Sequence, residues 1–522
     1  MIKEIICRDQ CLGLLRIFPL LLVLALAGCA SGLSPMTHEA GLKGVPVADS
    51  FVLEQRQKHL EPYSPYTAFS LLNTGRDAFL VRAALIEAAS HTIDAQYYIW
   101  NDDPTGRYLA GRLIAAADRG VKVRVLLDDM NAAGDDALFA TMDSHPNIEV
   151  RIFNPVRPRS GVGRWFSLLA NFDRVNRRMH NKSFVVDGAA GITGGRNIGD
   201  EYFDEDPAVN ARDRDVLMLG PLIGPLSDSF LAYWNNGRTY PVSRLYEPEV
   251  ALDAEARARL VAESTGQLSF HAQPARGQQA AQAFLEGRFE ALIPAQAELV
   301  FDPPPADFEA PANTPQPSAK ALYRLAASAE SEILIESAYL ILTDDQLDLT
   351  HGFGNDELSV VAFTNSLVTN DLVTNHSGYA RWREEMLRQG MELYELRPDA
   401  QGCRNWIVEN GACGGQGLTL HSKAVVFDRE TLFIGSLNVN LRSIYLNGET
   451  VLIIHSPELA QAVASDIQEA IEPQNSWHVR LNNSGDLVWQ ANELTFDHEP
   501  RAGFWLRTTS RVLSWLPIEK YL

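Results

Sequence analysis

His180-Asn-Lys182-Ser-Phe-Val-Val-Asp187, followed by Gly194-Gly195-Arg196-Asn197, recurs later in the chain as His421-Ser-Lys423-Ala-Val-Val-Phe-Asp428, followed by Gly435-Ser436-Leu437-Asn438. Residues two apart on a strand point the same way, so each His projects beside its Lys while the apolar residues beyond them enter a core. A nucleophile thus sits next to a cation able to hold a phosphate. One His-x-Lys-x4-Asp is expected by chance on the order of a hundredth of a time per chain. Two copies with matching Gly and Asn are a specific signal, and they use two of the few lysines in the sequence.

The surroundings of the two motifs also match. In the first half, the β-rich runs Thr92–Trp100 and Val121–Leu127 are separated by a helical pattern over Tyr108–Ala117, which is a β-α-β unit. Glu149–Phe153, Lys182–Val186 and Gly191–Gly195 follow. In the second half the same order runs Glu332–Tyr339, Leu358–Phe363, a helical stretch over Tyr379–Gln389, then Glu392–Leu396, Lys423–Phe427 and Thr431–Gly435. The offset that carries His180 onto His421 also carries Tyr98 onto Tyr339 and Asn197 onto Asn438. The pattern predicts an α/β protein of two tandem lobes related by a pseudo-two-fold, each a mixed, mostly parallel sheet flanked by helices. The expected division is a leader over 1–28, a tether over 29–67, lobe 1 over 68–250, a helical and Pro-rich connector over 251–320, lobe 2 over 321–470 and a C-terminal extension over 471–522. The repeat weakens at Ile341–Asn355, which lacks the amphipathic helix of the first half.

With 522 residues, 46% hydrophobic and 21% charged, the chain is long enough for two cores of ordinary size. Its net charge of −21 argues against nucleic acid as a partner, because tracking a phosphate backbone needs a basic excess. Lys3, Arg8 and Arg16 flank an apolar run from Ile17 to Ala27 that is short for a membrane span. It ends in Leu26-Ala27-Gly28-Cys29, which resembles the lipobox of bacterial lipoproteins. That resemblance implies cleavage before Cys29, lipidation of Cys29 and a periplasm-facing place in the cell envelope, with the outer membrane expected over the inner one because Ala30 follows the cysteine. Cys7 and Cys11 would leave with the leader, so Cys403 and Cys413 remain as a close pair in an oxidising compartment. They are expected to form a disulfide, with two free thiols as the alternative.

The paired motifs resemble the HKD signature of the phospholipase D superfamily, in which each half gives one signature to a shared site. Asp94–Trp100, Asn176–Lys182, Gly194–Asp200, Thr364–Ser366 and Gly378–Arg383 further resemble the bacterial cardiolipin synthase C family, with a similarity running from about Ala68 to the C-terminus. A phosphodiester repels nucleophiles, so its exchange needs cations on the non-bridging oxygens, a good nucleophile and an acid for the leaving oxygen. Lys182 and Lys423 supply the cations, and Asn197, Asn438, Ser436 and Gly195 are candidates for further contacts to the same oxygens. No metal or other cofactor is then required. The resemblance implies His180 as nucleophile, forming a phosphohistidine, and His421 as acid and base. Each imidazole needs a carboxylate on its other nitrogen. Glu449 suits one lobe, and Asp213 the other with Asp215 as the alternative. Asp187 and Asp428 are expected to hold the turn after each strand.

Arg151–Lys182 carries Arg151, Arg157, Arg159, Arg164, Arg174, Arg177, Arg178 and Lys182 among Trp165, Phe166, Leu168, Leu169 and Phe172, a mixture suited to lipid headgroups or to a solvated loop over an aromatic cluster. Phe504, Trp505, Val512, Leu513 and Trp515 fall near one helical stripe with Arg501, Arg507 and Arg511 around it, and this predicts a membrane-surface helix or a helix docked on the core. The leading expectation is a phosphatidyltransferase acting on phospholipids at a membrane, making cardiolipin from phosphatidylglycerol. Hydrolytic phospholipase D activity, nuclease activity and a non-catalytic lipid-binding module are the alternatives.

Overall fold

The motif strands each fold straight back into the strand that follows, and this decides the character of the sheet. The computed structural model describes residues 33–38, 49–60, 65–246, 252–264, 277–343, 346–347, 358–407, 413, 417–516 and 518–522. Cys29, the leader and parts of the tether lie outside the described residues.

Lobe 1 begins with β1 (Thr67–Leu72), α1 (Gly75–Ala88), β2 (Thr92–Tyr97), α2 (Pro104–Asp118), β3 (Lys122–Asp128) and β4 (Ile148–Phe153). It continues through α3 (Gly161–Ala170), β5 (Ser183–Val186), β6 (Ala190–Gly194), β7 (Asn210–Arg212), β8 (Asp215–Leu219), α4 (Ile223–Trp234) and β9 (Thr239–Pro241). Helix α5 (Gln278–Glu290) and β10 (Ile293–Phe301) lead to lobe 2, which holds α6 (Pro317–Ser328), β11 (Glu332–Ser337), β12 (Ser359–Asn365), α7 (Val373–Arg388) and β13 (Glu392–Leu396). After these come β14 (Leu418–Leu420), β15 (Lys423–Phe427), β16 (Thr431–Gly435), β17 (Thr450–His455) and α8 (Pro457–Ala470), then β18 (Ser476–Leu481), β19 (Leu487–Ala491), β20 (Leu494–Phe496) and α9 (Phe504–Leu513). The helices start where the sequence caps them. Asp103 accepts from Gly106 N ahead of α2, and Ser456 from Leu459 N ahead of α8, each with Pro at the first position.

The described strands other than β7 and β14 form one continuous sheet in the order β9-β4-β3-β2-β5-β6-β8-β1-β10-β17-β16-β15-β11-β12-β13-β18-β19-β20. The antiparallel β1–β10 pair lies at its centre, with β8 beyond β1 and β17 beyond β10, so the pseudo-two-fold passes between β1 and β10. The sheet is mixed, but the expected predominance of parallel pairing is corrected. Only β2–β3, β3–β4, β11–β12 and β12–β13 are parallel in it. Crossover helices occur just where those pairs need them, whereas the few residues between β5 and β6, and between β15 and β16, allow nothing but antiparallel hairpins. The connector also needs correction. Its helices are present in part, with α5 against α1, but residues 293–301 are a strand that does for lobe 2 what β1 does for lobe 1.

One apolar core lies in each lobe under its helices, built on residues such as Phe79, Tyr108 and Val125 in lobe 1 and Ile335, Tyr379 and Trp477 in lobe 2. A third, containing Phe69, Val185, Leu334 and Val426, runs along the opposite face of both half-sheets beneath α4 and α8. The hairpin β18–β19 extends lobe 2 from β13, and Arg383 on α7 holds both Glu395 and Glu499 at 2.8 Å, which straps the C-terminal extension to the lobe.

Candidate active site

The site forms where each lobe reaches one strand into the other. Strands β7 of lobe 1 and β14 of lobe 2 pair in parallel with Leu420 opposite Arg212. One residue further along, His421 N donates to Arg212 O at 2.9 Å, and His421 Nδ1 meets Asp213 Oδ2 at 2.5 Å. The other half repeats the construction. Met179 and Gly448 make a parallel bridge, His180 N donates to Gly448 O at 2.8 Å, and His180 Nδ1 meets Glu449 Oε2 at 2.8 Å. Each histidine is therefore oriented by a carboxylate from the opposite lobe. With Nδ1 engaged in this way, each ring keeps Nε2 for the pocket. Asp215 is not an orienting group, because it binds Arg82 in the lobe 1 core at 2.8 Å.

Asp213 and Glu449 occupy equivalent places. Gly195 N donates to Arg214 O just as Ser436 N donates to Thr450 O, and the backbone turns into β8 and β17 from there. A Cβ on Gly195 would lie 2.1 Å from Asp213 Oδ1, so only glycine leaves room for that carboxylate. Ser436 Oγ donates to Glu449 Oε2 at 2.5 Å, and Ser443 Oγ donates to Glu449 Oε1 at 2.7 Å. These contacts correct the expectation that Gly195 and Ser436 bind phosphate. Both stand behind the histidines and position the carboxylates.

Lys182 and Lys423 are buried beside their histidines, each with Nζ on the carbonyl oxygen of the histidine two residues before it. Asn197 and Asn438 line the pocket, and Asn197 Oδ1 accepts from Ile99 N at 3.2 Å. Asp187 accepts from the amides of Ser90, His91 and Thr92, and Asp428 from those of Glu330, Ser331 and Glu332. Each thereby ties its motif turn to the start of β2 or β11, away from the pocket.

Several other groups of the site lie outside the two motifs. The ring of Tyr98 meets His180 edge-on at 5.0 Å, and Tyr202 meets His421 in the same way at 5.1 Å. Tyr98 lies in the β-rich run Thr92–Trp100 and matches Tyr339 in the repeat, but Tyr202 sits in a short helical turn with no pattern of its own. Tyr339 donates to Asp371, and these two, together with Arg442, line the same cavity of about 420 Å³ as both histidines. Beneath the site, Glu336 of lobe 2 accepts from Arg212 at 2.9 Å and Arg214 at 2.7 Å of lobe 1.

The two halves differ electrostatically. Burial, then the charges of Lys182 and Lys423, holds His180 well below its ordinary pKa. His421 is also lowered by burial and by Lys423, but Asp213 works against both. Burial would raise Asp213, yet His421 and Lys423 outweigh it and keep the carboxyl low. Glu449 is instead pushed up to about 7 by burial, despite Lys182 and its hydroxyl donors. Burial draws Lys182 down to about 7 and also lowers Lys423. A phosphodiester anion arriving between two such lysines favours their charged forms.

Residues 83–233 and 322–471 match the family described as "Cardiolipin synthase, PLD-like domain", once in each lobe. The chain belongs to this phospholipase D-like family. It is 36% identical over 455 residues to cardiolipin synthase C of Escherichia coli (strain K12), covering 86% of this chain and 94% of that one. It is 24% identical over 407 residues to the major cardiolipin synthase of Bacillus subtilis (strain 168), covering 76% and 68%. In fold it is similar to phosphatidylserine synthase of Haemophilus influenzae Rd KW20, with a TM-score of 0.56 at 12% identity over 90% of this chain and all of that one. This phospholipase D-like protein is thus an enzyme of the cardiolipin synthase type, and the repeat seen in its sheet is the repeat of the family.

Proposed function

We propose that the enzyme makes cardiolipin by transferring a phosphatidyl group from one phospholipid to a hydroxyl of phosphatidylglycerol. The observation that carries this reading is the cross-lobe pair of oriented imidazoles, each with a lysine beside it, facing one cavity. His180, held neutral by burial and the nearby lysine charges, attacks phosphorus through Nε2. A P–N bond forms as the P–O bond to the leaving alcohol breaks, and His421 gives that oxygen a proton. The proton can reside on His421 because Asp213 stays ionised beside it. His421 then takes a proton from the acceptor hydroxyl, which attacks phosphorus and releases His180. Lys182 and Lys423 hold the non-bridging oxygens throughout, with Asn197 and Asn438 on the pocket wall.

Phospholipid rather than nucleic acid as substrate is supported by the net charge of −21. The leader with its lipobox-like end supports a lipoprotein acylated at Cys29, facing the periplasm and sorted to the outer membrane. The Cys403–Cys413 bridge, with Cα atoms 5.7 Å apart, fits the same oxidising compartment. Among the described residues no helix is long and apolar enough to cross a membrane.

The test is incubation with vesicles of defined phosphatidylethanolamine and phosphatidylglycerol, followed by lipid separation. Cardiolipin is the expected product, and phosphatidic acid alone would show a hydrolase instead. His421→Ala should accumulate a phosphatidyl-enzyme while His180→Ala forms none. The reverse pattern exchanges the two roles.

A further inference from the structure

Two helices of this protein are turned the wrong way round for a water-soluble surface. Val162, Trp165, Phe166 and Leu169 recur along α3 at the i, i+3, i+4, i+7 spacing of a single apolar stripe. That stripe faces outward. Trp165 is 70% and Leu169 71% exposed, whereas Ser167 on the other side is buried. Helix α9 and the turn after it repeat the inversion. At 100° per residue, Phe504, Trp505, Val512, Trp515 and Leu516 share one third of the helix circumference, with Trp505 78% and Trp515 74% exposed, while Ser510 on the opposite side is buried against α7.

Both helices rise from the rim of the catalytic cavity. Phe172, two residues beyond the end of α3, meets the ring of Tyr521 at 4.8 Å, and Tyr521 lines the cavity. Ser510 of α9 accepts from Ser377 on α7, one turn from Thr374 and Asn375, which line the cavity beside the exposed Leu372. The chain carries 66 acidic residues, yet neither α3 nor α9 contains one. Arg507 and Arg511 lie along the edge of the α9 stripe, where cations reach lipid phosphates while aromatic rings enter the acyl boundary. Arg157 and Arg501 are also exposed, but several of the other basic residues expected at a headgroup surface turn inward. Arg159 and Arg164 hold Asp129, and Arg178 holds Asp128.

The geometry points to α3 and α9 as one docking surface for an anionic phospholipid bilayer, seating the cavity mouth against the membrane. This deepens the proposed lipid reaction and rests on it for its purpose, because a diacyl substrate then passes from bilayer to histidines without crossing water. The same contact restricts water at the mouth, so it favours transfer to an alcohol over hydrolysis.

The experiment uses the full-length protein and vesicles of phosphatidylethanolamine and phosphatidylglycerol with brominated acyl chains, which quench only tryptophans that enter the bilayer, whether or not Cys29 is acylated. The wild type should be quenched, and Trp165→Phe/Trp505→Phe/Trp515→Phe should lose most of that quenching. Trp165→Ser/Leu169→Ser and Trp505→Ser/Trp515→Ser should each lower turnover on vesicles at least tenfold and lower the ratio of cardiolipin to phosphatidic acid several-fold. Both should act normally on a short-chain, monomeric phosphatidylglycerol. Quenching needs no turnover, so a quenched enzyme that makes no cardiolipin refutes the proposed reaction and leaves the docking surface standing. An unquenched wild type, or quenching unchanged by the triple Phe variant, overturns the docking surface. So does a wild-type dimer that the Ser variants turn into monomers, since the stripes would then cover a second copy of the chain.

Discussion

Lys182 is a cation that the proposed reaction places on the phosphate, and its buried surroundings oppose its charge. A lysine drawn down to about 7 by burial is charged below that pH and neutral above it. Glu449, raised to about 7, is ionised only above it. On the proposed reaction, the free enzyme should therefore lose phosphate binding as pH rises through 7 and lose the anion behind His180 as pH falls through 7. A bell-shaped kcat/KM centred near neutrality is expected. Lys182→Arg keeps its charge at all working pH values, so its alkaline limb should move up by more than one pH unit even if kcat drops. Measuring kcat/KM between pH 5 and 10 for both proteins checks this, and an unmoved limb would assign it to another group. At this scale the sequence was highly informative. His, Lys, Asp and Glu carry their chemistry with them: the motif spacing marks both histidines, and Glu449 and Asp213, the latter with Asp215 as the alternative, stand out as carboxylates able to orient them. Tyr202 stayed hidden because an edge-on ring contact leaves no periodic trace.

The ends of β6 and β16 do more than close a hairpin. Each carries the backbone past the first residues of its neighbour so tightly that an orienting carboxylate fits only against a bare Cα or under a small hydroxyl side chain. Gly195→Ala should push Asp213 off His421 and lower kcat about 100-fold or more, while leaving donor KM and far-UV circular dichroism unchanged. Equal losses in kcat and in folding would instead mark Gly195 as a packing residue alone. Most strands were legible here, and β13, β15 and β16 have the same limits in sequence and in structure. The failures have physical causes. Strand β10 reads Ile293-Pro-Ala-Gln-Ala-Glu-Leu-Val-Phe301, half-exposed and rich in residues with little β preference, so only its two partners reveal it. The parallel character was overstated because β-α-β units are conspicuous, whereas hairpins are brief.

Across the whole molecule, lobe-to-lobe registration rests on a buried cluster as well as on the central strands. Burial opposes ionisation of Glu336, but Arg214 and Arg212 overcome it and hold the carboxyl at about 2, below the ordinary glutamate value near 4.5. A depressed carboxyl contributes stability that is complete above about 4.5 and is lost as pH falls towards 2, with a ceiling of ~3 kcal/mol. Glu336→Gln should therefore lower the urea midpoint clearly at pH 7 and much less at pH 3. An equal loss at both pH values would attribute the effect to packing. The duplication was visible in the sequence, but the crossing of partners between lobes was not, since spacing along a chain does not say which half a carboxylate serves. That crossing has a genetic consequence. Because His180 depends on Glu449 and His421 on Asp213, neither repeat can drift alone without misaligning a catalytic ring in the other. A chimaera joining the first half of one relative to the second half of another inherits two mismatched dyads rather than one intact and one foreign.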